Sequence, residues 1–97
     1  STEYNLAYNY FKLQKYSEAK NYFKKVLNNE KNKSSFKYLF SNQYLAKIYI
    51  DENKKDSANY FLDTFLELYS KKTDVEKKEY ANIYKKIENK TLSTQIE

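Results

Sequence analysis

The chain has 97 residues, room for one small domain, and its 18 basic residues against 13 acidic ones leave a formal charge of +5. It holds no His, Cys, Gly, Pro, Met or Trp, and every basic residue is Lys. That excludes a zinc site of the usual kind, a thiol nucleophile, a Ser–His pair, a glycine-rich phosphate loop and any disulfide.

With neither Gly nor Pro, the chain points to helices joined by short polar turns, because tight strand hairpins need Gly or Asn at positive φ. Apolar positions recur every three or four residues, the period of a helix face. Leu6, Tyr10 and Leu13 place a first helix over about 2–14. After a short turn at Gln14 and Lys15, Ala19, Tyr22, Phe23, Val26 and Leu27 place a second over 16–29. The polar run NNEKNKSS follows, then Leu45, Ile48 and Tyr49 mark a helix over 35–52. DENKK turns the chain into a fourth helix over 55–70, read from Ala58, Phe61, Leu62, Phe65, Leu66 and Tyr69. Thr73 and Glu76 form a capping box, each side chain satisfying a free backbone N–H of the other's residue, and open a fifth helix over 74–89 carrying Tyr80, Ile83, Tyr84 and Ile87. The tail from Thr91 is weakly patterned.

The pattern repeats. Leu6, Ala7 and Tyr10 recur as Leu45, Ala46 and Tyr49, a step of 39 residues. A further Ala follows thirteen residues after each Leu, Ala19 and Ala58, and then Phe23 or Leu62, Val26 or Phe65, and Leu27 or Leu66. A third copy starts at Tyr80, Ala81 and Tyr84, 35 residues on, with Ser93 where the second Ala would fall. Small residues let two backbones approach closely, so Ala19→Leu or Ala58→Leu is expected to overpack, at ~1–3 kcal/mol each. Tyr10, Phe23, Tyr49 and Tyr84 are expected in the core.

This register resembles the tetratricopeptide repeat, a helix-turn-helix unit of ~34 residues. Tyr4 to Leu27, YNLAYNYFKLQKYSEAKNYFKKVL, carries the likeness: Leu6, Ala7 and Tyr10 in the first helix, Tyr16, Glu18 and Ala19 opening the second, then Phe23 and Val26. The likeness is close over 1–30, looser over 39–69 and weak over 74–97. The family's closing Pro is missing, with Lys31 near its place, and Asn53 stands near its turn Gly. Val26 and Phe65 replace a small residue, and the first spacing holds about five extra residues.

The resemblance implies an all-α solenoid of about five helices in one domain over 1–97: a unit at about 1–33, another at about 35–71, and a capping or truncated third at 74–97. It also implies a concave groove lined by the first helix of each unit. By position that groove shows Tyr4, Asn5, Tyr8, Phe11 and Lys12, then Gln43, Tyr44, Lys47, Ile50 and Asp51, then Asn82 and Lys85. One subtype clamps a C-terminal carboxylate with Lys and Asn; here Tyr4 and Tyr8 hold the first unit's places and Tyr44 the second's Asn, so that ligand is not expected.

The function expected is a non-catalytic scaffold or adaptor that binds a protein or peptide in this groove, with no cofactor and no metal. Two alternatives differ in kind. The charge excess lies wholly in residues 1–39, with 8 Lys against 3 acids. Lys12, Lys15, Lys20, Lys24 and Lys25 could thus make a surface for nucleic acid or another acidic partner, although Lys lacks the fork with which Arg grips phosphates. The chain could instead be a regulatory or oligomerisation segment of a larger protein, self-associating through exposed repeat ends. No apolar run approaches the ~20 residues that cross a bilayer. The chain starts at Ser1 without Met, and reads as a processed product or excised piece; a cytoplasmic setting is favoured, a periplasmic or surface one if a targeting segment was removed.

Overall fold

The computed structural model describes residues 2–82. Within them the helices are α1 (Thr2–Lys12), α2 (Tyr16–Asn29), α3 (Phe36–Asp51) and α4 (Lys55–Ser70). Residues 74–82 are helical as well, and none of the described residues lies in a strand. The expected continuation to residue 89, with Ile83, Tyr84, Lys85 and Ile87, the third copy's Ser93 and the tail, falls outside the described residues.

Both tight reversals are built alike and without glycine. Gln14 and Asn53, 39 residues apart, each adopt φ 59. The Gln14 N–H donates to the Phe11 carbonyl at 3.0 Å and Lys15 N–H to Tyr10 at 2.9 Å; Asn53 N–H donates to Ile50 at 2.9 Å and Lys54 N–H to Tyr49 at 2.8 Å. A left-handed residue thereby satisfies the last carbonyls of the helix before it, the arrangement that usually takes Gly. Each next helix then starts identically, the Lys15 and Lys54 carbonyls accepting from Ala19 and Ala58 at 3.0 Å.

Between the hairpins, residues 30–35 are held by local bonds. The Asn32 N–H donates to Glu30 Oε1 at 3.1 Å and the Ser34 N–H to Asn32 Oδ1 at 3.0 Å. Ser35 then caps α3, its Oγ accepting from Tyr38 N–H at 3.2 Å. These side-chain turns take up the extra residues of the first spacing.

The four repeat alanines, Ala7, Ala19, Ala46 and Ala58, are all at most 3% exposed. α1 packs on α2, α2 on α3 and α3 on α4. The run is antiparallel at each step. Asn29 Nδ2 at the end of α2 bonds Glu3 at the start of α1, at 3.0 and 3.1 Å. Tyr16 at the start of α2 donates to Asp51 Oδ2 at the end of α3, at 3.0 Å. α2 and α4 therefore run the same way on either side of α3.

That central position explains α3. It buries nine residues, including Leu39, Phe40, Leu45 and Ile48, where the sequence pattern singled out Leu45, Ile48 and Tyr49. Buried polar groups come with them: Asn42 donates to the Tyr38 carbonyl at 3.0 Å, while the Ser41 hydroxyl finds no partner. Aromatic rings fill the seams, with Phe23 stacked on Tyr44 at 5.2 Å and Tyr49 on Phe61 at 5.7 Å.

The capping box is formed. Glu76 N–H donates to Thr73 Oγ1 at 3.1 Å and Thr73 N–H to Glu76 Oε1 at 3.0 Å. The helix it opens docks on α3 through Tyr80, whose ring meets Phe40 edge-on at 6.0 Å. Lys72 Nζ and, at 3.5 Å, the Tyr80 hydroxyl donate to the Ser34 carbonyl, tying this helix to the loop before α3.

Tyr10 departs from its expected place. It is half-buried, stacked on Tyr22 at 5.6 Å, because no described helix covers that flank of the first hairpin. Leu13 lies beyond the last residue of α1 and is 65% exposed, and Leu66 is 51% exposed.

Candidate functional site

Positions 4, 8 and 11 of α1 and 43, 47 and 50 of α3 each fall on one helix face, being three to four residues apart. The repeat step makes the two sets equivalent. Between the two helices Tyr8 and Phe11 meet Tyr44, with Lys12 over Tyr8, Lys47 over Tyr44 and Asp51 bonded to Tyr16.

The floor of this surface is aromatic. The Tyr44 ring lies 4.9 Å from Phe11, meets Tyr8 edge-on at 5.9 Å and stacks on Phe23 at 5.2 Å. Phe11 also stacks on Tyr16 at 5.9 Å. Over the floor stand two ammonium groups, Lys12 Nζ 5.0 Å from the Tyr8 ring centre and Lys47 Nζ 5.7 Å from that of Tyr44. Such cation–ring contacts are worth about 0.5–1 kcal/mol at exposed sites, so they fasten the two side chains lightly over the rings. Ile50 is 59% exposed at the edge, and Asn5 is exposed on α1.

Two of the four rings expected on the groove surface lie inside instead. Tyr4 is 5% exposed, set edge-on against Phe23 and Phe36. Tyr44 is 2% exposed because Phe11 and Tyr8 cover it. Both support the surface rather than presenting it. Gln43 sits further along α3, at a cleft with Phe65, Tyr69 and Tyr80. Asn82 is exposed on the last described helix, and Lys85 lies outside the described residues.

Asp51 is engaged by Tyr16, and that bond sets Tyr16 as well. Burial first, then its bond to the Asp51 carboxylate and that group's charge, push the Tyr16 hydroxyl above its ordinary 10.0. Sequence reasoning did not place Tyr16 here, since its partner is 35 residues away. The other acid of the turn, Glu52, takes Lys20 at 2.7 Å and Lys54 at 3.8 Å. At 17% and 26% side-chain exposure the Lys20 pair is worth about 1 kcal/mol, a fastening of α2 to the end of α3. Among the described residues no group of three or more His, Cys, Asp or Glu could hold a metal ion. No described helix is long and apolar enough to cross a membrane.

Comparison with protein-family models, with curated proteins and with solved structures returns no match for this chain.

Proposed function

We propose that the domain is a tetratricopeptide-like interaction module without chemistry of its own, stacking two helix hairpins and a further helix as a short solenoid. Its α1/α3 face takes an extended segment or a helix of another protein. The observation that carries this reading is the aromatic floor of Tyr8 and Phe11 over Tyr44, flanked by Lys12 and Lys47 and edged by Ile50. The identical turns at Gln14 and Asn53 support the stacked-hairpin reading. Rigid rings offer contact area at small entropic cost, and the positive charge of Lys12 and Lys47 favours a guest with carbonyl or carboxylate oxygens.

Stacking of nucleic-acid bases fits less well. Base stacking needs open ring faces. Tyr49 has Phe61 stacked on it and both Lys20 and Lys24 within 5.5 Å of its centre. Tyr44 faces Phe23.

The test is selection of binders from a displayed random-peptide library against the 97-residue chain. Tyr8→Ala and Ile50→Asp, with helicity unchanged by circular dichroism, should each weaken the selected peptides at least about tenfold. Peptides that ignore both changes but are lost on Lys24→Glu with Lys25→Glu would overturn the reading in favour of a basic surface.

A further inference from the structure

α2 and α4 flank α3, and a cleft of about 330 Å³ lies between them, lined by Lys24 and Asn28 of α2, Asn42 of α3, and Tyr60 and Thr64 of α4. The two helices differ in net charge. α2 carries Lys20, Lys24 and Lys25 against Glu18, whereas α4 carries Asp56, Asp63 and Glu67 against Lys55. Asp63 and Glu67 are exposed, and so is Lys24 at the lip of the cleft, its ammonium 5.5 Å from the Tyr49 ring centre. Tyr60 projects with them, 67% exposed and braced edge-on by Phe61 at 5.1 Å.

The step of 39 residues turns this into a matching rule. Lys24 of α2 and Asp63 of α4 occupy equivalent positions on equivalent helices, and so do Asn21 and Tyr60. α2 and α4 run the same way, and the cleft sets Lys24 and Asn28 of α2 beside Tyr60 and Thr64 of α4, within about one helical turn of the equivalent positions. A half-turn about an axis parallel to the helices, lying in the plane of this face, exchanges α2 with α4 and preserves height. It brings Lys24 of each copy to within about one helical turn of Asp63 of the other, so that the basic stretch of α2 faces the acidic stretch of α4. A half-turn about the perpendicular in-plane axis lays α2 on α2 and α4 on α4, like charge on like, and is disfavoured. We propose that this face pairs with the same face of a second copy about the first axis, an isologous contact in which each opposite-charge pair occurs twice.

The strip is small. α2 has 14 residues. At ~1.5 Å per residue and ~10 Å per helix width, that is about 400 Å² of flat area on each copy. Such an area lies below that of stable interfaces, so the dimer is weak and reversible. The contact uses none of the α1/α3 surface, and stands or falls separately from it.

Sedimentation equilibrium of the full chain tests the pairing, from about 10 μM to about 1 mM at low salt, where screening is weakest. The expected result is a monomer–dimer equilibrium that salt weakens. Lys24→Glu alone and Asp63→Lys alone should each raise the dissociation constant at least about tenfold, because each faces like charge in its own dimer. An equimolar mixture of the two variants should recover the dimer, since both contacts then join opposite charges. Tyr8→Ala should leave the mass unchanged, and circular dichroism should show every variant helical. A single-chain mass throughout would overturn the proposal. So would a dimer indifferent to Lys24→Glu, or variants whose mixture stays monomeric.

Discussion

α2 and α4 carry the same pattern and meet different fates. α2 buries Ala19, Phe23 and Val26, while α4 buries only Ala58. Leu62 and Phe65, equivalent to Phe23 and Val26, are half-buried, and Leu66 lies half in water. α2 is pressed between α1 and α3; α4 rests on α3, with the helix from residue 74 reaching it through a cleft at Phe65 and Tyr69. Pattern selects the face of a helix, and neighbours decide how deeply that face is covered.

Equivalent truncations should separate the two helices most sharply. Phe23→Ala removes a ring with 0% exposure that touches Tyr4 and Tyr44, and is expected to cost about 3–5 kcal/mol in urea unfolding. Leu62→Ala, at a half-buried place, should cost about 1–2 kcal/mol. Equal losses would show the two helices covered alike.

A smaller difference is expected at the turns. Gln14 and Asn53 share φ 59, but Asn tolerates the left-handed region better than Gln. Gln14→Gly should therefore stabilise by about 0.5–1 kcal/mol, and Asn53→Gly by only a few tenths. Thermal melts of the two variants check the order.

The smallest effect lies at the start of the helix from residue 74. Backbone and side-chain bonds from Thr73, and the charge of Lys72, hold the Glu76 carboxyl below its ordinary 4.5. Its folded form is thus the stronger acid. The stability this gives is complete above the unfolded value and fades as pH falls through the folded one. In an NMR titration Thr73→Ala, which deletes the hydroxyl but keeps the backbone N–H bond and Lys72, should move Glu76 part of the way back toward 4.5 and weaken that acid-side dependence.

Much of this was legible in the sequence. The starts and stops of α1 to α4 to within two residues, the Thr73–Glu76 box and the buried alanines follow from spacing and turn chemistry, signals confined to a few neighbouring residues. Depth was not legible. Core and groove positions on α1 and α3 lie side by side on the helix, so a long ring such as Tyr4 or Tyr44 reaches inward from a place nominally facing out. The Lys20–Glu52 and Tyr16–Asp51 links join residues 32 and 35 apart, and nothing local announces them. Tyr10 and Leu66 show the opposite failure: each has an apolar pattern around it but too little structure over it.

Native-state hydrogen exchange tests the nested packing of the hairpins most directly. With α2 and α3 sharing the central seam, their middle amides, from Tyr22 to Val26 and from Leu45 to Tyr49, should exchange only through global unfolding. Those of Leu62 to Leu66 in α4 should exchange at least about tenfold faster, through local opening. Protection in α4 equal to that in α2, or fast exchange in α3, would contradict this packing.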